Sequence, residues 1–533
     1  MTRALAALFR YELLVGGLMV VIAGVFLVVT SDLDARYTLA IVAAIGGSAF
    51  LAALPDRRVA CLMLWVLIHP LGIEKIFLVD AAEGPQFTDP SIIFNASDGP
   101  LALLALFVVA ETMLSGRVAF QWSRMTTILL ALLAWSGISF AIHAIFLDDK
   151  FTTSAPYALI QDVRLLVFVL LVQSAIRSRG DIMLVLLAVA VAVLLQTMFV
   201  GLSYAMGHAF SYAGTAGSSG LQGFDTAGGA QLVRATGTFG QVNEQAIFHT
   251  IMTIPLIAFF GVRNTFVRIM SIAVLACSAL AVVLTFSRGA WLAFPVGLAV
   301  CGCVALRRGM IGRTARRAGV LLGLASAFAL LLLAHPIYQR LAFGDNGATD
   351  ARIRLAVLAT DLFQEYPILG VGPGEFDEAA LRLYPPGFEQ NQWIEPGRVV
   401  DSTTIGRVDY MEYRTSTLLS LRPLPVHNKF LLMLSELGIP GLLLWMWLYV
   451  EIIRVSWRCS KVPDKFLGLL GVAGLGTAAA EIAYMTVEHF HDDKILEVTL
   501  FVPAVLFSAW RIVRATQSRA PLSFAATLAL QHQ

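Results

Sequence analysis

Apolar positions in this chain come in long, nearly unbroken runs. Runs of a length to cross a bilayer lie near 11–30, 37–54, 57–72, 99–114, 125–146, 156–176, 181–206, 244–262, 267–286, 289–306, 318–334, 428–452, 465–486 and 495–513. A helix of about 20 apolar residues spans the hydrocarbon core. The pattern therefore predicts an all-α polytopic membrane protein with about fourteen transmembrane helices, the third and fourth runs being short. Two polar segments are long, 207–243 and 335–426. The second lies between the helices near 318–334 and 428–452 and is large enough for a loop subdomain. Within it, 350–366 reads as an amphipathic helix with Leu355, Leu358, Leu362 and Phe363 on one side, stopped by Pro367.

Composition agrees: the 533 residues are 58% hydrophobic and 14% charged, with mean hydropathy +0.76. The net charge of +2 says little, but its placement orients the chain. Alternate connections carry Arg57 and Arg58, Arg117 and Arg124, Arg177 and Arg179, Arg263 and Arg268, then Arg307, Arg308, Arg313, Arg316 and Arg317. Arg454, Arg458, Lys461 and Lys465 fall on the same side, as do Arg511, Arg514 and Arg519 in the tail. The opposite connections are mostly acidic or neutral, which is the positive-inside asymmetry, so both termini are expected in the cytoplasm and both long polar segments outside it. The first apolar run is expected to be retained, because no small-residue cleavage site follows it before Ser31-Asp32. Cys61, Cys277, Cys301, Cys303 and Cys459 show neither a disulfide framework nor metal-ligand spacing.

Against this apolar background, a few polar residues stand at the ends of spans. His427 and Asn428 meet an apolar helix that continues as x9-Gly-x2-Gly, with the glycines at 438 and 441. A histidine at a membrane surface can accept a proton near neutral pH; the bland alternative is a helix start in the headgroup layer. Arg234 in RATGTFG follows a Gly/Ser/Thr-rich loop, and Arg288 sits in the SRGAW turn. Both lie on the face where the positive-inside rule places few cations, although an interfacial arginine can also snorkel toward lipid phosphate. GVGPGEF at 370–376 contains Gly372 and Gly374 and can form an anion-holding nest, but reads mainly as a structural turn. Tyr384, Phe388 and Trp393 suit stacking on sugar rings or an aromatic belt. His489, His491, Asp492 and Asp493 in EHFHDDK read as a short polar turn rather than a metal site. Inside the sixth run, Asp162 is expected to be neutralised by Arg164, beside Gln161.

Taken in order, the His-Asn-x9-Gly-x2-Gly span, RATGTFG, SRGAW and YPILGVGPGEF resemble the O-antigen ligase superfamily, over about residues 160–455. That superfamily includes O-antigen ligases, O-antigen and exopolysaccharide polymerases, and protein O-oligosaccharyltransferases. The resemblance implies a glycosyltransferase of a bacterial inner membrane, acting at the periplasmic face by an inverting mechanism without cofactor or metal. The donor would be a glycan on undecaprenyl diphosphate and the acceptor a hydroxyl of lipid A-core or of a growing polysaccharide. It further implies His427 as general base, Arg234 and Arg288 on the diphosphate, and Arg352 beside them. Asn428, Gly372, Gly374 and Trp393 are carried as substrate-binding candidates. FGQVNEQA departs from the Pro-Asn turn of many relatives, and about fourteen spans exceed the dozen of a ligase, so ligase and polymerase stay open. The corresponding division is 1–206 as membrane scaffold, 207–455 as catalytic core with its two periplasmic loops, and 456–533 as C-terminal helices and tail. From another class, a lipid-linked glycan flippase would also use many spans and a few arginines. It should, however, show inverted repeats and midplane polar groups, whereas these residues collect at one face. A purely structural membrane protein would leave His427, Arg234 and Arg288 coincidental.

Overall fold

The structure is a computed structural model that describes residues 50, 54, 56–77, 92–146, 154–207, 223–225, 231–239, 241–310, 338, 348–383, 426–490 and 493–531. In chain order, α1 (Arg57–Ile68) ends in a 3-10 turn, His69–Leu71, and leads into β1 (Glu74–Phe77), which pairs antiparallel with β2 (Ile92–Asn95). Four helices follow: α2 (Asp98–Ser115), α3 (Arg124–Phe146), α4 (Ser154–Ala175) and α5 (Arg179–Met206). A second small hairpin, β3 (Gly223–Asp225) with β4 (Gln231–Val233), precedes α6 (Val242–Thr253), which continues as a 3-10 helix, Ile254–Gly261. Then come α7 (Thr265–Leu284), α8 (Arg288–Arg307), α9 (Ala348–Glu365), α10 (Phe376–Leu383), α11 (Lys429–Cys459), α12 (Lys465–Met485) and α13 (Asp493–Gln531).

Among the described residues, ten helical stretches are long and apolar enough to cross a membrane: α2 to α8, α6 being counted with its 3-10 extension, and α11 to α13. Hydrocarbon offers the backbone no hydrogen-bond partners, so a spanning segment must close its bonds within itself. Of the fourteen runs in the sequence, those near 11–30 and 318–334, and all but two residues of that near 37–54, lie outside the described residues. The run at 57–72 forms only the 12-residue α1 and its 3-10 turn, which is too short to span. Apart from the two hairpins, the described fold is helical.

Helix α12 packs against α8, α11 and the extension of α6. Its glycine-rich GLLGVAGLGTAAA lets backbones approach: a Cβ on Gly297 of α8 would lie 2.7 Å from the Gly476 carbonyl oxygen. Close approach of this kind drives helix association in lipid, where neighbouring helices have no hydrophobic incentive to meet.

Helix α11 is broken at Gly438, whose φ of 66° and ψ of −167° are far from helical and favour glycine. A break inside a span frees carbonyls that something must satisfy. The loop between α9 and α10 does so: Val371 N donates to Ser435 O at 2.8 Å and Gly372 N to Glu436 O at 3.0 Å. Trp135 Nε1 of α3 takes Leu437 O at 2.8 Å, and in return Ile439 N donates to Pro367 O at 3.0 Å. Helix α3 also holds the loop itself, with Ser139 Oγ on Leu369 O (2.9 Å) and His143 Nε2 against Gly370 O (2.9 Å). The glycine of the His-Asn-x9-Gly pattern and the PILGVG stretch are thus two halves of one joint.

The amphipathic helix expected at 350–366 is α9. Leu355, Leu358, Ala359 and Leu362 form a small core with Val371, Phe376, Ala380, Val426 and Leu432. This core fixes the middle of α9, one turn beyond Arg352, against the start of α11. The expected neutralisation of Asp162 by Arg164 is not what the structure contains. Residues two apart on a helix point to different faces. Arg164 therefore meets Glu497 (2.9 Å) and Asp98 (2.9 Å), while Asp162 faces Ser136 and Lys429 in a separate cavity of about 70 Å³.

Candidate active site

At one end of the bundle, the N-termini of α6, α8 and α11 meet the C-terminus of α12 and the turn beyond it. Asn428 caps α11: its Oδ1 accepts from Leu431 N at 3.0 Å, and its Nδ2 donates to Thr486 O at 3.1 Å. The cap clamps the start of α11 to the end of α12. It thereby sets His427 against Glu488, with His427 Nδ1 2.9 Å from Glu488 Oε1. His489 Nε2 lies 3.4 Å from the same oxygen, and the two imidazole centroids are 5.1 Å apart.

The other Glu488 oxygen accepts from Asn243 Nδ2 at 2.9 Å. Asn243 Oδ1 in turn accepts from Arg234 Nη2 (3.3 Å) and Ser287 Oγ (3.2 Å). Arg234 Nε donates to Thr285 O at 3.1 Å, and Ser287 Oγ is 2.8 Å from the Tyr484 hydroxyl. Arg288 follows Ser287 as the first residue of α8. Arg352 lies near enough for its charge to act on Glu488, His489 and Tyr484.

Two strained residues hold this arrangement. Phe286 (φ 51°) and Phe490 (φ 49°) are the non-glycine residues with positive φ among those described, and both are buried. One precedes Ser287-Arg288 and the other follows Glu488-His489. Bulky side chains rarely adopt this conformation, and it persists where the surroundings impose it, which is common at functional sites.

The charges follow from the contacts. Burial alone would raise the Glu488 carboxyl, but the hydrogen bond from His427 and the positive charge nearby, Arg352 included, outweigh it and bring it down to about 2. Burial pushes His489 down to about 4, with His427, Lys429 and Arg352 adding to the fall and Glu488 opposing it. At neutral pH Glu488 is therefore an anion that only accepts, and His489 is neutral. A carboxylate at 2.9 Å makes Nδ1 of His427 the donor, which leaves the lone pair of the neutral ring on Nε2. The His427 side chain keeps 22% exposure against 7% for Glu488, so the imidazole is the member an incoming hydroxyl can reach. The site thus offers a carboxylate-oriented base with arginines nearby.

His427, Arg234 and Arg352 are brought to one cluster, with Arg288 beside it. Asn428 shapes the site as a cap, with both ends of its side-chain amide engaged by backbone. Gly372 and Gly374 face elsewhere: the Glu436 carboxyl group accepts from the Gly374 and Phe376 amides, so this turn is engaged by a side chain of the protein itself. Trp393, Tyr384, Phe388, His491 and Asp492 lie outside the described residues. Glu488, Asn243 and Tyr484 went unnoticed in the sequence. The signal for Glu488 was an acid directly beside a histidine where a span ends, and that for Asn243 was the FGQVNEQA departure.

The described fold is that of a helical membrane protein with a histidine–carboxylate pair and arginines gathered at one end of its bundle. A family model described as O-Antigen ligase matches residues 273–399, from α7 through Arg288 and Arg352 to short of His427. The match supports membership of the O-antigen ligase superfamily, and with it a ligase- or polymerase-type membrane enzyme. No curated protein matches the chain.

Proposed function

We propose that the protein transfers a glycan from undecaprenyl diphosphate to a hydroxyl of lipid A-core or of a growing polysaccharide, at the periplasmic face of the inner membrane. The observation that carries this reading is the His427–Glu488 pair, 2.9 Å apart and joined through Asn243 to Arg234. The acceptor O–H gives its proton to His427 Nε2 as its oxygen attacks the anomeric carbon. The bond from that carbon to the phosphate oxygen breaks on the opposite face, inverting the configuration, and the electron pair leaves with the diphosphate. Glu488 steadies the imidazolium that forms, and its charge fixes the ring orientation beforehand. Arg234, Arg288 and Arg352 supply cationic forks for the leaving diphosphate, with charge-assisted hydrogen bonds that strengthen as its charge grows.

The test is the fate of lipid-linked glycan in a deletion strain carrying the wild-type chain or His427→Ala. Long polymer accumulating on undecaprenyl diphosphate, with none on lipid A-core, identifies a ligase. Accumulation of single repeat units identifies a polymerase. Units trapped on the cytoplasmic leaflet identify a transporter and refute the proposal, as does full transfer by a well-expressed His427→Ala protein.

A further inference from the structure

The pair proposed as catalytic has a third member without a part in the transfer. His489 aims Nε2 at the same Glu488 oxygen that His427 approaches through Nδ1, and the three ligand atoms lie within 4.8 Å of one another. Two imidazoles and a carboxylate are a donor set suited to zinc, whose bonds of about 2.0–2.2 Å give tetrahedral ligand separations of about 3.4 Å. His489 Nε2 already stands 3.4 Å from Glu488 Oε1, while the His427 Nδ1 contact of 2.9 Å must open by about 0.5 Å to reach that spacing. Each imidazole keeps part of its edge open to solvent, 22% for the His427 side chain and 24% for His489, which provides entry.

We propose that His427, Glu488 and His489 form an inhibitory binding site for a divalent transition-metal ion of the zinc type. Inhibition follows from the tautomer, and this part rests on His427 being the base. An ion on Nδ1 takes the lone pair there and moves the single proton of the neutral ring to Nε2. That nitrogen then donates where transfer requires it to accept, so the acceptor hydroxyl loses its base. Arg352 and Lys429 act on the same groups as positive charges, which makes the site weaker than a structural zinc centre and the ion removable.

The experiment uses the full chain in nanodiscs, washed with chelator and titrated with ZnCl2 by calorimetry, with MgCl2 as comparison. Saturable binding of zinc but not magnesium is expected, weakened at least about tenfold in His489→Gln. Cobalt added to the wild-type protein should give the visible absorption of a tetrahedral site, a readout that does not depend on any variant folding. Transfer activity should fall at least about tenfold as zinc saturates and return with EDTA. Absence of saturable zinc binding, zinc affinity unchanged in a folded His489→Gln protein, or cobalt without tetrahedral bands overturns the site. Zinc bound without loss of transfer overturns the inhibition. Full transfer by His427→Ala with zinc binding intact in the wild type refutes the base assignment instead, so the two failures are told apart.

Discussion

Replacing Glu488 by Gln keeps the shape of the side chain and removes its charge, and so isolates what the carboxylate does for His427. The structure holds the Glu488 carboxyl at about 2 against an ordinary 4.5, a difference worth about 3 kcal/mol of net preference for the anion. That preference is shared among His427, His489 and Arg352, and in the proposed step the same carboxylate faces the proton that the imidazole takes up. Were all of it spent on the transition state, its loss would correspond to a factor of roughly 10². A glutamine can also turn its amide nitrogen toward Nδ1, fixing the proton on Nε2, and a wrong tautomer in a comparable dyad elsewhere costs about 10⁴. Glu488→Gln should therefore lower kcat by about 10²–10⁴ and leave the KM for the lipid-linked donor nearly unchanged. The assay is multiple-turnover transfer in nanodiscs over a range of donor concentrations, beside a thermal melt showing that the variant is folded. A folded Glu488→Gln protein within threefold or so of wild type would refute the orienting role.

Further outcomes follow from other residues. Arg288→Lys should impair transfer at least about tenfold although the charge is kept, because an ammonium cannot form the paired bonds of a guanidinium; normal rates would exclude bidentate binding. Gly438→Ala places a Cβ against the Ile368 carbonyl at a φ of 66°, so it should lower the melting temperature and cost more than about 2 kcal/mol; an unchanged melt would mean the joint tolerates side chains. His489 titrates at about 4 in the fold and at 6.5 outside it, so between those values the unfolded chain holds more protons. Stability should therefore fall as pH drops from 6.5 toward 4, by up to about 3 kcal/mol, with Glu488 adding its own loss only below 4.5. A melting temperature flat over pH 4–7, or the same slope in His489→Gln, would contradict this.

How much of this could be read in the chain depended on whether a residue departs from its background. His427, Arg234, Arg288 and Arg352 are polar groups where apolar spans or an amphipathic helix begin or end, and three of them meet in space with the fourth adjacent. Glu488 did not stand out, because an acid at a span end resembles any solvated turn residue; its importance lies in a contact 61 positions away. The glycines at 372 and 374 suggested an anion nest, yet the amides there meet the Glu436 carboxyl group, whose position depends on how α11 breaks. Hydropathy located the spans but not the break at Gly438, since window averages do not register one residue's φ. The same blindness to facing paired Arg164 with Asp162 in the sequence, whereas the helix turns them toward different neighbours.

The joint at Gly438 also orders how this protein is made. Carbonyls freed in hydrocarbon cost several kcal/mol each until something binds them. Their partners, Val371 and Gly372, precede α11 in the chain and leave the ribosome first. Trp135 comes earlier still. The socket is therefore synthesised before the helix that needs it, and α11 can enter the bilayer as a finished piece only where that socket is already waiting. A chain permuted so that 429–459 is translated ahead of 366–376 would ask the insertion machinery to accept a broken helix alone. The glycine nine residues beyond His-Asn thus sits where chain made earlier can receive the carbonyls around it.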